Sequence, residues 1–240
     1  MRQVPHYLLI GRGRLATHFQ HYLNLLQLSS SLWHRGMLID HLYAALPQAS
    51  HVLVLINDYA IDAFIKQHLL HRSSAYLIHC SGRLTSSNAI GAHPLMTFSQ
   101  QLYSLADYQA IPFVIEEGAP AFSILFPGLS NPAFCIKTTM KEKYHALCAL
   151  SGGITAYVWQ QLFKCFAEEL ELPREVAFPY LKQQLFNLLN DPEHALTGPL
   201  VRGDVKTIAT HLAVLQQDAL HKLYAALVEG VSHQRKMETL

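Results

Sequence analysis

The chain has 240 residues, of which 50% are hydrophobic and 15% are charged, and its formal net charge is +1 with histidine counted as neutral. This composition is typical of a globular protein with a substantial core, and the charge gives no basis for a nucleic acid or an anionic membrane as a partner. No apolar run is long enough for a membrane span. The first residues run into a strand without the pattern of a signal peptide, so we expect no secretory leader.

Cysteine and histidine usage predicts neither disulfides nor a metal site. The four cysteines have no C-x-x-C spacing, and we expect reduced thiols in a cytoplasmic protein. Among the 15 histidines, the pairs His18/His21 and His68/His71 could each share a helix face, but no Cys or carboxylate set at ligand spacing accompanies them. Solvated or capping histidines are the favoured interpretation.

The first half of the chain alternates between strands and helices. The clearest strand is the apolar run at residues 51–56, which is typical of a parallel strand covered on both faces. The predicted strands are residues 4–10, 31–34, 51–56, 75–79, 90–92, 112–115 and 133–136, and the predicted helices are residues 14–26, 61–70 and 121–129. This alternation predicts a doubly wound α/β fold with a parallel sheet.

Helical periodicity replaces the strand pattern after about residue 137. The predicted helices are residues 141–170, broken or kinked at Gly152 and Gly153, residues 175–190, kinked at Pro179, and residues 204–229, with Asp204 as the N-cap. The sequence therefore predicts a nucleotide-binding domain at residues 1–138 and an all-helical domain for substrate binding or dimerisation at residues 139–240. A substrate is expected between the carboxyl edge of the sheet and the helical domain.

A glycine-rich turn follows the first predicted strand. The run Gly11-Arg12-Gly13-Arg14-Leu15-Ala16 has the G-x-G-x-x-A form of the dinucleotide-binding turn of Rossmann-type domains. The first glycine permits the tight turn, the second lets the backbone approach a pyrophosphate, and the alanine lets the helix pack close to the strand. The N–H groups at the helix start attract phosphates.

Arg35 follows the second predicted strand, where the adenosine ribose of a bound dinucleotide would lie, and it has no acidic neighbour. A guanidinium can hold a 2′-phosphate through paired, charge-assisted hydrogen bonds, so the sequence predicts NADP (NADPH) as the cofactor. Arg12 and Arg14 either contact phosphate or are solvated.

Several polar residues follow predicted strands and are expected at the cleft. Asn57 borders the nicotinamide ribose, or the pair Asn57-Asp58 is only a helix cap. Lys141 and His93 are the candidate proton donors, although Lys141 can equally belong to a solvated helix start and His93 can be structural. Arg202 or Ser81 is predicted to bind a substrate carboxylate.

The chain also resembles a bacterial family of Rossmann-like proteins, largely of unassigned function, whose helical C-terminal domain is of the 6-phosphogluconate dehydrogenase type. The resemblance spans nearly the whole chain. The matching segments are the glycine turn, Trp33-His34-Arg35, His79-Cys80-Ser81-Gly82, His93-Pro94-Leu95-Met96-Thr97-Phe98, Lys141 with Tyr144-His145-Ala146, Asn187, and Ala195-Leu196-Thr197-Gly198-Pro199 through Arg202-Gly203-Asp204 to His211.

This family is similar to ketopantoate and pyrroline-5-carboxylate reductases. The resemblance implies NADPH, a homodimer formed through the helical domain, and reduction of a small 2-keto acid, with 2-dehydropantoate (giving pantoate for pantothenate synthesis) as the first choice. It adds His34 to the cofactor site and Asn187 and His211 to the substrate site. One departure is Gly152-Gly153, where the family usually carries an asparagine.

Two alternatives remain open at this point. The chain could bind NADP(H) as a sensor or assembly protein without catalysis, which the glycine pair favours. It could also be an imine reductase of the pyrroline-5-carboxylate type.

Overall fold

The computed structural model describes residues 4–238 of the chain. Its contacts divide the chain into two compact units, residues 1–152 and residues 153–240. The division falls inside a long helix, later than the predicted domain boundary at residue 138. The reason is that the first turns of this helix are bonded to the sheet, Lys141 to Glu116 and Tyr144 to His93.

The N-terminal unit contains one sheet of seven strands. They are β1 His6–Ile10, β2 Ser29–Trp33, β3 His51–Val54, β4 Tyr76–His79, β5 Ile90–Pro94, β6 Phe113–Glu116 and β7 Ala133–Ile136. Their order in the sheet is β2-β1-β3-β4-β5-β6-β7, and the first five strands are parallel. This confirms the predicted doubly wound sheet.

Strands β6 and β7 depart from that prediction in direction. β6 pairs with β5 in the antiparallel sense, and β7 is parallel to β6. The segment between β5 and β6 contains only the six-residue helix α4 (Leu105–Ala110), and the chain returns along the neighbouring edge instead of crossing the face of the sheet with a long helix.

Four further helices belong to this unit, α1 Arg14–Leu25, α2 Ile39–Ala45, α3 Asp58–His68 and α5 Phe122–Leu125. Helices α2 and α4 were not predicted, because seven and six residues are too few to show helical periodicity. The available signal for α4 was its capping box, in which Ser104 and Asp107 bond each other's backbone N–H groups.

Both faces of the sheet are covered by apolar side chains. Tyr7 and Leu9 of β1 point to the α1 side and Leu8 and Ile10 to the α3 side, and all four are fully buried. Burial of each such side chain stabilises the fold by about 1.5–3 kcal/mol. This double cover explains the uninterrupted apolar runs in the sequence.

The C-terminal helices are α6 Lys141–Glu168, α7 Phe178–Asn190, α8 Pro199–Arg202, α9 Val205–Val214 and α10 His221–Glu238. The predicted break at Gly152-Gly153 is wrong, since α6 continues through both glycines. Each glycine destabilises the helix by about 1 kcal/mol relative to alanine. The hydrogen bonds and contacts of the other residues in this long helix outweigh that loss. Pro179 lies in the first turn of α7, where a missing N–H group costs nothing, so it does not interrupt the helix.

The predicted helix at residues 204–229 is two helices, α9 and α10. Asp218 lies between them, and its carboxylate accepts a hydrogen bond from the Leu220 N–H at 2.6 Å, which competes with helix continuation. The predicted N-cap is confirmed, because the Asp204 carboxylate accepts from the Thr207 N–H at 3.1 Å.

Candidate functional site

The turn after β1 needs glycine at its first position. Gly11 has a φ of +138°, and a Cβ atom there would lie 2.3 Å from the Leu55 carbonyl oxygen at the end of β3. Because the strand order reverses between β1 and β3, this turn stands at the topological switch point of the sheet. Ligands of open α/β sheets bind at such a point, beyond the carboxyl ends of the strands.

The second glycine leaves space open at the start of α1. Gly13 is the N-cap residue, it provides no side-chain cap, and a Cβ built on it meets nothing within 4 Å. The first N–H groups of a helix have no partner within the helix, and α1 has no acidic residue in its first turn. Ala16 is fully buried against the sheet, and Leu15 is partly buried. These residues fit an anionic group such as a pyrophosphate.

Three arginines lie on this turn and on the neighbouring turn after β2. Ile10 of β1 pairs with Trp33 of β2, which sets Arg35 beside the turn that carries Arg12 and Arg14. All three guanidinium groups are exposed, and none forms an ion pair with another of the described residues. His34 accepts the Gly36 N–H at its Nδ1 atom at 3.1 Å and so shapes the turn after β2.

Residues after β3 and β4 bond each other. Asn57 donates to the Tyr59 hydroxyl at 3.0 Å and does not cap α3 with its side chain. Asp58 is the first residue of α3, and its Oδ2 atom accepts a hydrogen bond from the Ser81 hydroxyl at 2.6 Å and pairs with Arg83 Nε at 3.3 Å. Asp58 therefore joins two neighbouring strand ends instead of capping a helix.

Ser81 is buried and fully engaged. Besides donating to Asp58, its Oγ atom accepts the backbone N–H groups of Leu84 at 3.0 Å and Arg83 at 3.3 Å. The Ser81 hydroxyl group therefore fixes the conformation of the loop after β4 through three hydrogen bonds.

His93, at the carboxyl end of β5, lies against the second turn of α6. Its Nδ1 atom is 2.8 Å from the Tyr144 hydroxyl, and its ring centroid is 5.9 Å from that of His145. Both imidazoles pack on Gly82, where a Cβ atom would lie 2.5 Å from His145 Cδ2 and 3.2 Å from His93 Cδ2. Because Gly82 has no Cβ atom, His93 can pack against the loop that carries Ser81 while its ring contacts Tyr144.

His93 and Tyr144 are both neutral at pH 7. Burial, reinforced by the nearby His145 and Lys141, lowers the pKa of His93 to about 4. Burial and the neighbouring Cys148 raise the pKa of Tyr144 above its usual range. The pair can therefore form and donate hydrogen bonds without introducing a charge.

Lys141 is buried in an ion pair. Its ammonium group donates to Glu116 Oε1 and to the Leu84 carbonyl, and only 4% of the residue is exposed. The other carboxylate oxygen of Glu116 accepts the Gly91 N–H at 3.2 Å. This network attaches the first turn of α6 to β5 and β6, and it occupies the ammonium group that the sequence analysis considered as a proton donor.

His79 adds a buried polar group that the sequence analysis did not single out as a site residue. Its Nδ1 atom accepts the Ser81 N–H at 3.3 Å, while Nε2 is buried with no partner in the described part of the chain. Burial and the charge of Lys141 lower the pKa of His79 to about 4. Glu116 and Arg83 were also missed, since a carboxylate at a strand end or an arginine in a loop gives no signal by itself.

The remaining predicted substrate residues lie in the C-terminal unit. Asn187 accepts a hydrogen bond from Gln183 at 2.7 Å, and His211 Nδ1 is 2.9 Å from the Tyr224 hydroxyl. Arg202 ends α8 with its side chain exposed. Of the predicted substrate and catalytic residues, the N-terminal unit brings together Ser81, His93 and Lys141.

Two other kinds of site were sought in residues 4–238. No group of three or more His, Cys, Asp or Glu side chains among them could hold a metal ion. Of the helices described, none combines the length and apolar character that crossing a membrane requires.

Known structures share this fold over almost the whole chain. A candidate NADP oxidoreductase from Bacteroides fragilis is 22% identical and has a TM-score of 0.75, with 95% of this chain and 97% of that chain covered. The 1-pyrroline-5-carboxylate reductase of Streptococcus pyogenes is 12% identical, with a TM-score of 0.58 and coverages of 97% and 98%. A reductive aminase from Aspergillus terreus, in complex with NADPH and ethyl levulinate, is 12% identical, with a TM-score of 0.62 and coverages of 98% and 95%.

At these identities the likeness establishes the fold. No curated protein matches the sequence. A family model matches residues 111–230, which is half of the chain. The chain therefore belongs to the family described as a domain of unknown function, DUF2520.

Proposed function

We propose that this chain is an NADP(H)-dependent reductase that acts on a C=O or C=N bond of a small molecule. The observation that carries the proposal is the glycine turn, where open space over Gly13 and the first N–H groups of α1 are flanked by exposed arginines that form no ion pair with another described residue. Similarity to an oxidoreductase fold that includes an NADPH complex supports it.

In this proposal, different residues at the carboxyl ends of the strands bind different parts of the dinucleotide. The turn from Gly11 to Ala16 holds the pyrophosphate, Arg35 beside His34 holds the 2′-phosphate, and Asn57 borders the nicotinamide ribose. When bound, NADPH supplies the hydride that reduces the substrate.

His93 is the proposed hydrogen-bond donor to the substrate. We assign the Tyr144 hydroxyl as the donor to His93 Nδ1, 2.8 Å away, and this assignment puts the ring proton of the neutral imidazole on Nε2. This N–H group can bond the substrate oxygen or nitrogen where charge develops. Lys141 is the weaker candidate, because its ammonium group would have to leave Glu116.

The proposed substrate is a short 2-keto acid, with 2-dehydropantoate as the first choice and Ser81 or Arg202 near its carboxylate. Asn187 and His211 are further candidates for substrate contact.

One observation favours an imine as the second candidate substrate. A ketone needs a proton from the enzyme, whereas an iminium ion carries its proton already, and both His93 and Tyr144 are neutral groups that do not release protons easily. The similarity to a pyrroline-5-carboxylate reductase agrees with this candidate.

We further propose that two copies associate through the helical unit. Of residues 153–233, only Ala177 and Leu200 are buried, while large apolar side chains such as Phe186 and Leu189 are 60% and 84% exposed. Apolar faces of this extent mark interaction surfaces. A second copy is a suitable occupant because the same faces are present on it and can pair symmetrically.

The cofactor is tested by fluorescence titration of the full chain with NADPH and NADH. We expect preference for NADPH, and Arg35→Gln should weaken NADPH binding about 10-fold or more while leaving NADH binding unchanged. Arg174→Gln, which changes an exposed arginine paired with Glu175 at 3.1 Å, is the matched control. Failure of both coenzymes to bind contradicts the proposal.

The reaction is tested by NADPH oxidation with 2-dehydropantoate and with 1-pyrroline-5-carboxylate. Turnover of the first supports the keto acid, and turnover of only the second supports the imine. Binding of NADPH without turnover of either substrate supports the alternative that the chain binds NADP(H) as a sensor or assembly protein without catalysis. Tyr144→Phe should lower kcat by about 10- to 100-fold with little change in NADPH affinity.

Association is tested by light scattering coupled to size exclusion. The wild-type chain should elute as a dimer, and Phe186→Glu with Leu189→Glu should shift it toward the monomer. A monomeric wild-type chain at high concentration contradicts the proposed dimer.

A further inference from the structure

The loop after β4 carries an arginine whose guanidinium group is held from one side only. Arg83 Nε pairs with Asp58 Oδ2 at 3.3 Å, and Asp58 is itself fixed by the Ser81 hydroxyl at 2.6 Å. The Arg83 backbone N–H also bonds Ser81 Oγ. Both ends of the residue are therefore anchored to one serine and one carboxylate.

The outer edge of this guanidinium group remains available. The Arg83 side chain is 50% exposed, and its only ion pair among the described residues uses Nε. The two terminal nitrogens carry four N–H groups in a plane, an arrangement that matches the two oxygens of a carboxylate. A guanidinium group held by Nε loses less side-chain freedom on binding than a free one.

Arg83 also lies next to the proposed reaction site. It directly follows Gly82, on which the rings of His93 and His145 pack. A substrate whose oxygen or nitrogen bonds His93 would therefore lie beside the loop that carries Arg83.

The charges at this edge favour an anion. Asp58 offsets one positive charge, while Arg12, Arg14 and Arg35 have no acidic partner among the described residues. The ammonium group of Lys141 is offset by Glu116. In the proposed complex those three arginines lie beside the phosphates of the cofactor, so Arg83 is the guanidinium group that remains to bind a substrate carboxylate.

We infer that Arg83 binds the carboxylate of the substrate, so that the substrate class is a 2-keto or 2-imino acid and not a neutral ketone or imine. The inference rests on the proposed reductase function and deepens it, since the sequence analysis considered only Ser81 and Arg202 for this role. Ser81 and Asp58 act as positioning residues for Arg83.

The experiment compares an acid with its neutral counterpart. NADPH oxidation is measured with 2-dehydropantoate and with its uncharged lactone, for the wild-type chain and for Arg83→Gln, Arg83→Lys and the control Arg174→Gln. We expect Arg83→Gln to lower kcat/KM for the acid about 10- to 100-fold, mainly through KM, and to leave the lactone within about 2-fold. For Arg83→Lys we expect a kcat/KM for the acid between those of the wild-type chain and Arg83→Gln, because the positive charge remains and the planar guanidinium group is lost.

The NADPH dissociation constant, measured on each variant, separates folding and cofactor defects from a loss of substrate binding. Equal losses for the acid and the lactone, or no loss for either, would overturn the inference. If 1-pyrroline-5-carboxylate is the substrate that is turned over, 1-pyrroline replaces the lactone as the counterpart without a carboxylate.

A binding measurement decides the inference where no substrate is turned over. Oxamate, a small planar carboxylate, is titrated into the full chain with and without NADPH and followed by saturation-transfer NMR. Oxamate binding that is lost in Arg83→Gln and kept in Arg174→Gln supports the inference. Oxamate binding that is unchanged in Arg83→Gln, or that is not detected with the wild-type chain, overturns it. Failure of NADPH itself to bind contradicts the reductase proposal separately.

Discussion

The two units of this chain differ in where they keep their apolar side chains. The N-terminal unit buries them on both faces of a seven-stranded sheet, whereas the described C-terminal residues bury only Ala177 and Leu200. The first unit can therefore be stabilised by its own core, whereas in the second unit large apolar side chains stay exposed in the single chain. A substitution should cost much more in the packed unit than a matched substitution in the open helices.

The largest difference is expected for glycine at the β1–α1 turn. Gly11→Ala places a Cβ atom 2.3 Å from the Leu55 carbonyl oxygen at a φ of +138°, so we expect a loss of at least about 4 kcal/mol in the free energy of unfolding. Urea denaturation followed by circular dichroism measures this loss. A fold as stable as the wild type would show that the turn tolerates a side chain.

Breaking the buried ion pair should have the next largest effect. Lys141→Met leaves the carboxylate of Glu116 buried without a positive partner and should destabilise the chain by about 3–5 kcal/mol. In the helices, Lys164 pairs with Glu168 at 3.8 Å with both side chains more than half exposed, and Lys164→Met should cost no more than about 0.5 kcal/mol. Urea denaturation compares the two variants.

The double variant Lys141→Met with Glu116→Leu extends this comparison. Because it removes both buried charges, we expect most of the lost stability to return. Turnover by the double variant would support a positioning role for Lys141. Loss of turnover despite restored stability would instead make Lys141 the proton donor.

The pH dependence of stability should also separate the units. The folded pKa of His79 is about 4 and the ordinary value is 6.5, so the unfolded chain binds more protons between these values. Stability therefore falls as the pH is lowered from about 6.5 to 4, by about 1.4 kcal/mol per pH unit for this group. His79→Gln should flatten the curve, while Asn190→Ala, which changes an exposed side chain without a titratable group in the helical unit, should leave it unchanged.

Urea denaturation at several pH values between 4.5 and 7 provides the measurement. Identical pH profiles for the wild-type chain and His79→Gln would contradict the assignment of a depressed pKa to this side chain.

A small effect of opposite sign is expected at Gly153. The residue lies inside α6, and a Cβ atom there meets nothing within 4 Å. Gly153→Ala should therefore stabilise the chain by about 0.5–1 kcal/mol, since alanine loses less backbone entropy in a helix. A thermal melt records the rise, and a destabilised variant would indicate that something packs against this position.

The elements that were predicted from the sequence are those with a local signal. The apolar run after residue 50 indicated a buried parallel strand, and the spacing of Gly11, Gly13 and Ala16 indicated the turn. The N-cap at Asp204 was also read correctly, because a side chain that bonds the backbone three residues away depends on few other contacts. Short helices and the reversed strands β6 and β7 had no such signal.

The candidate site was predicted only in outline. The alternation of strands and helices brings strand ends to one edge, which selected Asn57, Ser81 and His93 as neighbours of a ligand. The sequence could not show that Asp58 bonds Ser81, or that Lys141 is buried against Glu116, 25 residues before it in the chain.

By itself, the sequence determined the α/β architecture, the glycine turn and the positive side chains around it, because each follows from the spacing of neighbouring residues. Only the tertiary structure decided which polar groups meet, which arginine keeps a free edge and which histidines lose their charge. Those properties depend on burial and on contacts between residues far apart in the chain, and the free energy of a charge changes strongly when water is removed.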